Sequence, residues 1–554
     1  MSDVTAAAPE ATEPAEPTVV GPEGWAAPPW LRDGYFVWLP RVAVLVGAVL
    51  RIRNWAHDRS LWLDEIEVAV QIEGRSFAQL THPLGTNQAA PIGWLWAERT
   101  SVDWFGTNEN ALRLVPLLFS LAALAIAPYA ARQLIGVAAA PVAVVLFATS
   151  PGLIYFAAET KQYSSDATCV LLVLVVSAPL MRSAPTWRRA LLWGLATSGL
   201  AWFSFPAVVV SAACGAAIAV RWVRRPRVLL ALAGGGALLA ANLLAQYEVT
   251  LRKLSDNRLL VVWWQWMNGY PRDSAGLRDE LSWLHRAGFG VIRDPVHLAA
   301  PVLVLLAVVW GAAVTARWRL DAAVLLCLPI AVAIGLAVAR RYPMAVRLSL
   351  FLIPSILMLL AAGVVGAVTT SVVVMRRTQQ VWPVAVVAVL AAALLVVTAG
   401  RTTVSGIGKI VRPDEVTSGR DTVAFVAQHR RPSDLVLVEA PWALPNFHYY
   451  GPRQHVTSDG TFSFSGSSCR RDPFARLRGR RAWLLLAHRG SDEPANRNQV
   501  FLSGFQTGGT LLESYRGAGD SGAYLLDFAD AAPGSSPPPP GWRPGTCLTV
   551  AVSR

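Results

Sequence analysis

The sequence predicts a polytopic α-helical membrane protein of about eleven transmembrane helices with a C-terminal extracytoplasmic α/β domain. Of its 554 residues, 54% are hydrophobic and only 15% are charged, whereas soluble domains average about a quarter charged residues. Apolar segments recur as far as about residue 400, and the roughly 150 residues after them contain short strand-like runs instead. This composition excludes a single soluble domain, a disordered chain and a nucleic-acid-binding protein of the usual kind.

The predicted spans follow from the length that a bilayer requires, about 20 mainly apolar residues. Residues 1–34 are rich in Ala, Pro and Glu, so we expect a disordered cytoplasmic tail. No cleavable signal peptide is apparent, and we expect the first span to remain as an anchor. Pro206 either separates two spans or kinks one long helix. The eleven candidate segments are roughly 35–50, 110–131, 137–157, 166–182, 189–203, 205–221, 228–247, 298–316, 321–339, 347–369 and 381–400.

The predicted orientation follows from the distribution of arginines among the loops, because cytoplasmic loops carry an excess of Lys and Arg. With the N-terminus inside, the transmembrane domain covers 35–400, and the soluble domain, 401–554, lies outside. Two long loops, at about 51–109 and 248–297, also lie outside. The arginines that then fall in inner loops are Arg132, Arg182, Arg188, Arg189, Arg221, Arg224, Arg225, Arg227, Arg317, Arg319, Arg376 and Arg377.

Four basic residues are exceptions to this charge rule, since Lys161, Arg340, Arg341 and Arg347 fall at the outer ends of spans. A cation in that position either snorkels, pairs with an acid or binds an anion. Their clustering favours an anion site at the outer face.

The C-terminal domain is predicted to be α/β. Strand-like runs occur at 434–438 and 483–487, and a Pro-rich segment follows at 536–540. Cys469 and Cys547 both fall in this domain and are expected to form a disulfide in an oxidising compartment. Cys and His residues do not have the spacing of metal ligands anywhere in the sequence.

The first outer loop contains an acidic pair, Asp64 and Glu65, directly after the apolar run Leu61-Trp62-Leu63. The apolar run would lie near the bilayer surface and hold the pair at the interface. A carboxylate there is partly desolvated, which strengthens it as a base. The alternative is a solvated helix N-terminus, where acids are favoured by the helix dipole.

Five segments of the chain occur in a characteristic order. They are the acidic pair, Gln88-Ala-Ala-Pro-Ile-Gly-Trp94, Glu109-Asn-Ala-Leu-Arg113, Tyr155-Phe-Ala-Ala-Glu159-Thr-Lys161-Gln-Tyr163-Ser-Ser-Asp166, and Arg341-Tyr-Pro-Met-Ala-Val-Arg347-Leu-Ser-Leu-Phe-Leu-Ile-Pro354. In this order they resemble the GT-C superfamily of glycosyltransferases, in particular the branch of the protein O-mannosyltransferases and the lipid A aminoarabinose transferase. The resemblance spans about residues 35–400.

The resemblance implies a transferase that uses a polyprenyl-phosphate sugar and acts at the outer membrane face. By that match Asp64 is the catalytic base and Glu65 shapes the site. The donor phosphate is expected to bind Lys161 and one or more of Arg340, Arg341 and Arg347. Candidate acceptor or substrate contacts are His82, Gln88, Glu159, Tyr163, Trp263 and Trp264.

This chain departs from the branch at two positions. Gln88-Ala-Ala-Pro91 stands where the aminoarabinose transferase has an acid and a basic phosphate ligand, and Glu67 replaces an Arg that follows the acidic pair. No cofactor is expected. The acids Asp64, Glu65 and Glu67 are oxygen ligands of the kind that divalent cations bind, but a metal-free site is favoured.

The resulting hypothesis is a transferase that moves a monosaccharide, with mannose favoured and arabinose second, to an envelope glycan or lipoglycan. The resemblance points further to a lipoglycan mannosyltransferase of the actinobacterial envelope. Three alternatives stay open: protein O-glycosylation, a transporter or flippase of lipid-linked sugars, and a membrane-anchored sensor or scaffold. A transporter should carry charges at mid-membrane in repeated halves, and neither feature is apparent in the sequence.

Overall fold

A computed structural model describes most of the chain, with gaps. The described residues are 34–85, 88–252, 258–272, 276–294, 298, 300–378, 417–465, 472–487, 497–531 and 547–552, with scattered residues between 386 and 415. Nearly all of the predicted tail and most of the predicted span at 381–400 lie outside them.

Helices account for most of the described chain up to residue 378. A π-helical turn, Gly34–Trp38, leads into the first helix, and short 3-10 turns occur at Gln79–Thr81, Phe156–Ala158 and Val346–Leu352. The α-helices are α1 (Leu39–Trp55), α2 (Leu63–Gly74), α3 (Ile92–Phe105), α4 (Glu109–Leu112), α5 (Leu114–Ile135), α6 (Ala140–Thr149), α7 (Pro151–Tyr155), α8 (Tyr163–Arg182), α9 (Trp187–Leu200), α10 (Phe205–Arg221), α11 (Pro226–Gln246, continued by a π-helical turn Tyr247–Leu251), α12 (Arg258–Trp266), α13 (Leu277–Arg293), α14 (Pro301–Trp318), α15 (Leu320–Val338) and α16 (Ile353–Thr378).

Within the described part of the chain, seven helices are long and apolar enough to cross a membrane. The number becomes eight when α6 and α7, which are bent by 50°, count as one broken span. Helices α9 and α10 stand at two further predicted positions but have only 14 and 17 residues. They are separate helices, because the Ser204 side chain accepts a hydrogen bond from the Ala207 amide at 3.1 Å and caps α10. Pro206 therefore lies in the first turn of a new helix, where proline is tolerated.

Helices α14 and α16 pack closely where glycines lie at their crossing. A Cβ atom on Gly311 of α14 would lie 1.8 Å from the Leu359 carbonyl oxygen of α16. A Cβ atom on Gly363 would meet the Ala307 carbonyl oxygen at 1.9 Å. Small residues at such crossings allow two backbones to approach closely inside a membrane.

Arginines that were predicted to share one membrane face do meet at one end of the bundle. The Gln133 carbonyl oxygen accepts hydrogen bonds from Arg182 at 3.1 Å and from Arg319 at 2.5 Å. Arg221 donates to the Met181 carbonyl oxygen at 2.9 Å. Helices α5, α8, α10 and α14 therefore begin or end together at this side, opposite the Asp64 loop.

The C-terminal domain is a mixed α/β unit, as predicted. Its elements are α17 (Gly419–His429), β1 (Leu435–Glu439), α18 (Leu444–Arg453), β2 (Gly460–Ser465), β3 (Arg481–Leu486), α19 (Arg497–Gln506), β4 (Thr510–Arg516), β5 (Gly522–Asp527) and β6 (Cys547–Val552). The strand order is β4-β5-β3-β1-β2-β6, and β1 is parallel to both of its neighbours while the other pairs are antiparallel.

The two predicted strand-like runs form the centre of this sheet. They correspond to β1 and β3, and the five residues of β1 are all buried, as continuous apolar runs of central parallel strands should be. Cys547 begins β6 and is disulfide-bonded. Its predicted partner, Cys469, lies outside the described residues.

The first long loop and the C-terminal domain share one hydrophobic core. The loop forms α2, α3 and α4, and their buried faces pack on the sheet and on α17 and α18. Buried contributors from the loop include Leu61, Ile66, Ile72, Trp94 and Leu112, and those from the domain include Val426, Val438, Phe447, Tyr450, Trp483 and Leu525.

Candidate active site

Asp64 lies in the first turn of α2, at the edge of the membrane domain. The turns of α2 face inward through Ile66, Ala69 and Ile72, so Asp64 stays on the partly exposed side. Its carboxylate accepts a hydrogen bond from the guanidinium of Arg347, at the start of the last described span. The Arg347 guanidinium also lies 5.0 Å from the centre of the Trp62 ring. The side chains of Arg347 and Asp64 are 28% and 19% exposed, so a ligand can reach both.

Glu65, the second acid of the pair, has a different environment. It is fully buried and accepts two hydrogen bonds from Arg113, at 2.9 and 2.8 Å. One of its oxygens also accepts from the Thr160 amide at 2.8 Å. Burial opposes ionisation of Glu65, but the charges of Arg113 and Arg59 outweigh it and lower the pKa of the carboxyl. Glu65 thus connects α2 to the 159–161 segment and is not placed to touch a substrate.

Glu67, Gln88 and Lys161 form a chain of side-chain hydrogen bonds beside Asp64. The Gln88 amide nitrogen donates to Glu67 at 2.5 Å, and the Lys161 amine donates to the Gln88 amide oxygen at 2.6 Å. Burial raises the pKa of Glu67. Burial also lowers the pKa of the Lys161 amine, although the negative charges of Asp64, Glu159 and Glu67 partly offset that effect.

Glu159 is a buried carboxyl whose two oxygens have no hydrogen-bond partner among the described residues. Burial raises its pKa to about 7, and the nearby charge of Glu65 adds to the increase while Arg59 and Arg347 oppose it. Such unpaired buried carboxyls are costly in a folded protein, and they occur where a site is tuned for chemistry.

The other predicted residues lie at varying distances from this cluster. Tyr163, the first residue of α8, is buried beside Arg347. His82 is exposed after the 3-10 turn Gln79–Thr81. Arg340 and Arg341 occupy the turn after α15, and Arg341 is exposed, with no side-chain hydrogen bond within the described chain.

The aromatic segment of the second long loop forms α12. Trp263 is 41% exposed, whereas Trp264 packs against the membrane-domain core. The Gly269 carbonyl oxygen, just after this helix, accepts a hydrogen bond from the Met344 amide at 2.9 Å. That contact places the aromatic segment next to the stretch of chain that leads to Arg347.

Two relationships at the site differ from what local spacing indicated. Glu109 and Arg113 are four positions apart in the sequence, a spacing at which side chains on one helix can pair, but Arg113 binds Glu65 and Glu109 binds Arg420 at 3.1 Å. The two side chains do not pair because the short α4 ends at Leu112, so Arg113 is not in register with Glu109 on one helix.

Arg59 is a site residue that sequence reasoning missed. It is buried, donates to the Ala158 carbonyl oxygen at 2.8 Å, and lies 4.4 Å from the centre of the Tyr155 ring. Its charge acts on both Glu65 and Glu159. The only signal in the sequence was an arginine shortly before the apolar run Leu61-Trp62-Leu63, five residues before Asp64.

The three acids near the start of α2 do not converge on one point. Asp64, Glu65 and Glu67 are bound to Arg347, Arg113 and Gln88 respectively. Across the described residues, no group of three or more His, Cys, Asp or Glu side chains is arranged to hold a metal ion. A metal-free site stays a prediction.

Comparisons with known proteins give similarities to solved structures. The sequence matches no family model and no curated protein. The crystal structure of ArnT from Cupriavidus metallidurans bound to undecaprenyl phosphate is 15% identical, with a TM-score of 0.48, and the match covers 91% of this chain and 100% of that one.

Two further structures are similar over different shares of their length. The Archaeoglobus fulgidus oligosaccharyltransferase in the apo form is 12% identical, with a TM-score of 0.46, over 77% of this chain and 64% of that chain. The arabinofuranosyltransferase AftD from Mycobacteria is 14% identical, with a TM-score of 0.35, over 89% of this chain and 41% of that chain.

Proposed function

We propose that this protein is a membrane glycosyltransferase that moves a monosaccharide from a polyprenyl-phosphate donor to a cell-envelope glycan or lipoglycan, with Asp64 as the base. The observation that carries the proposal is the contact between the partly exposed Asp64 carboxylate and Arg347, with Lys161 beside them. These three residues come from three separate segments of the chain, and all lie at one end of the helix bundle.

The reaction requires three functions, and this cluster offers groups for the second and the third. The acceptor hydroxyl must be held in line with the anomeric carbon of the donor. Its proton must pass to a base, for which Asp64 is exposed and near the bilayer edge. The charge that grows on the departing phosphate must be neutralised, and Arg347 and Lys161 are the cations next to Asp64.

In this scheme Arg347 has two partners, the Asp64 carboxylate and the donor phosphate. In the structure its guanidinium is bound to Asp64. Donor phosphate can compete for this guanidinium, because phosphate, like a carboxylate, offers oxygens for bidentate binding. We expect the arriving phosphate to take over at least part of the guanidinium, which leaves the Asp64 carboxylate available to accept a proton.

Lys161 supplies positive charge at a position where the sequence motif lacked it. The Gln88 segment has no basic residue of its own, but the Lys161 amine lies 2.6 Å from the Gln88 amide oxygen. The phosphate of the donor is therefore proposed to contact Lys161 from the second motif and Arg347 from the last, with Arg340 and Arg341 as further candidates.

The lipid tail of the donor determines where the site must lie. A polyprenyl tail stays in the bilayer, so the phosphosugar has to be bound at its edge, and the outer face is proposed from the arginine distribution.

The exposed Trp263 provides an aromatic surface of the kind that stacks on sugars. A single base and direct displacement imply inversion at the anomeric carbon. Mannose is the favoured sugar and arabinose the second.

Purified protein incubated with radiolabelled polyprenyl-phosphomannose or polyprenyl-phosphoarabinose tests the proposal. The expected result is label on an envelope glycan or lipoglycan acceptor. Label on protein would instead favour protein O-glycosylation. Movement of the intact donor across vesicles would favour a transporter, and an inert protein would favour a scaffold; both results would overturn the transferase proposal.

The proposed orientation needs its own measurement. Protease added to intact spheroplasts should cut the C-terminal domain if that domain is extracytoplasmic. Cleavage only after membrane permeabilisation would place the Asp64 cluster on the inner side, since the domain and the loop share one core.

A further inference from the structure

The C-terminal domain contacts the segment before Asp64 through a buried tyrosine. The Tyr450 hydroxyl accepts a hydrogen bond from the Leu61 amide at 2.7 Å and donates to Glu109 at 3.1 Å. Tyr450 is nearly fully buried in the core shared with the loop. Leu61 is three residues before Asp64, so this contact fixes the backbone immediately ahead of the helix that carries it.

Arg420, at the start of α17, fixes the same stretch a few residues earlier. It donates to the Asp58 carboxylate at 2.9 Å, to the Asp58 carbonyl oxygen at 2.7 Å and to Glu109 at 3.1 Å. Its own backbone amide donates to the Ser60 hydroxyl at 3.3 Å. Asp58 has a φ of 52°, in the left-handed region that costs energy for a residue with a side chain. Several hydrogen bonds from Arg420 stabilise that conformation.

The far end of α2 is held by the residue next to Tyr450. The Tyr449 hydroxyl donates to Glu73 at 2.7 Å, and Arg453 donates to the other oxygen of Glu73 at 2.6 Å. Glu73 lies in the last turn of α2. Two consecutive tyrosines of α18 therefore hold the backbone before α2 and a side chain at its end.

Among the described contacts, Tyr450 and Arg420 touch the residues just before Asp64 and also Glu109, but not Asp64 itself. These contacts therefore point to a positioning role. The carboxylate of Asp64 is bound to Arg347 of the membrane domain. Its distance from that cation depends on where α2 sits relative to the bundle. A displacement of about 1 Å in a catalytic group costs up to roughly 100-fold in rate.

We propose that the C-terminal domain sets the position of α2, with Tyr450 and Arg420 as positioning residues for Asp64. This inference rests on the proposed function of Asp64. Removing either contact should leave donor binding intact, since Arg347 and Lys161 belong to the membrane domain, but should reduce turnover.

The test uses the full chain in detergent, with the variants Tyr450→Phe and Arg420→Gln. Matched controls are Tyr524→Phe, which removes a hydroxyl from the opposite side of the same sheet, and Arg478→Gln, whose ion pair is with Asp472 inside the domain. Two quantities are measured: hydrogen exchange of the peptide covering 59–67, and transfer kinetics together with binding of polyprenyl phosphate.

The expected result is faster exchange at 59–67 in both variants and a kcat lower by on the order of 10-fold, with the KM for donor and the binding of polyprenyl phosphate unchanged. Arg420→Lys should recover part of the loss. The controls should behave like the wild type. If Tyr450→Phe does not fold, Tyr449→Phe tests the same idea at the other end of α2 through exchange at 68–74.

Two outcomes would overturn the inference. One is unchanged exchange and unchanged kcat in both variants. The other is a raised donor KM at constant kcat, which would mean that these residues act on the donor itself. If the wild-type protein transfers no sugar, the proposed function fails, whereas the exchange comparison still decides whether the domain positions α2.

Discussion

Arg347 is bound to Asp64 although the two residues are 283 positions apart in the sequence. The contact joins the first turn of α2 to the start of the last described span. Under the proposed function, the same guanidinium holds the carboxylate of the base and can bind the phosphate of a donor. The first two predictions concern Arg347 itself and the Gln88 amide near this pair.

Replacing Arg347 by Lys should weaken donor binding more than turnover, because lysine keeps the charge but loses the bidentate geometry. A hydrogen bond to a charged group contributes about 1.5–3 kcal/mol, which corresponds to roughly 10- to 100-fold in affinity. Titration with polyprenyl phosphate measures the loss directly. Arg317→Lys, at the opposite end of the bundle, is the matched control. Equal affinity in the Arg347 variant and the control would remove Arg347 from the phosphate site.

Gln88 is predicted to matter through its two partners. Gln88→Leu leaves Glu67 and Lys161 without the amide that lies between them. Leaving buried polar groups unpaired costs about 1–3 kcal/mol, so thermal stability and transfer rate should both fall. The exposed Gln79 offers a control substitution to Leu. A stable Gln88→Leu protein with normal transfer would show that the hydrogen-bonded chain has no part in the site.

The buried Glu65–Arg113 pair is expected to be structural. Arg113→Met leaves a buried carboxylate without its cation, and breaking such a pair costs roughly 3–5 kcal/mol. The double variant Glu65→Leu with Arg113→Met should be more stable than Arg113→Met alone, because no uncompensated charge remains. Thermal unfolding in detergent of the wild type, Glu65→Leu, Arg113→Met and the double variant completes the double-mutant cycle. If the loss of stability in the double variant equals the sum of the losses in Glu65→Leu and Arg113→Met, the two side chains are not coupled.

Glu159 gives a prediction for pH. Burial raises the pKa of its carboxyl to about 7 from an ordinary value of 4.5. Between those values the folded protein binds a proton that the unfolded chain has lost, so this contribution to stability falls as pH rises. The melting temperature of the wild type relative to Glu159→Gln should therefore decline from about pH 5 to pH 7 and then level off. A difference that stays constant over this interval would show that Glu159 is ionised throughout.

Much of the fold could be predicted from the sequence, because a bilayer forces long apolar helices that are visible in the composition. The central strands β1 and β3 were similarly evident from their apolar runs. The two short helices α9 and α10 were recognised as a pair, but only the cap at Ser204 decided between two helices and one kinked helix. In each case the information is local in the chain.

The partners of the site residues could not be predicted in the same way. Arg113 lies one turn from Glu109, yet it binds Glu65, which is 48 positions away. Lys161 and Gln88 are 73 positions apart, and Tyr450 is 389 positions from Leu61. Such pairs depend on how helices pack in three dimensions, and a single sequence contains no direct signal for that. The sequence motifs brought Asp64, Lys161 and Arg347 to attention as individual residues, and the structure adds their contacts.

Asp64→Asn tests the central claim most directly. The substitution keeps the size of the side chain and removes its ability to accept a proton, so sugar transfer from a radiolabelled polyprenyl-phosphate donor should fall on the order of 100-fold or more. Binding of polyprenyl phosphate should persist, since Arg347 and Lys161 remain. Asp103→Asn, on the same long loop and paired with Arg99 at 2.7 Å, controls for charge removal without loss of the proposed base. Full transfer by Asp64→Asn in membranes would show that Asp64 is not the base.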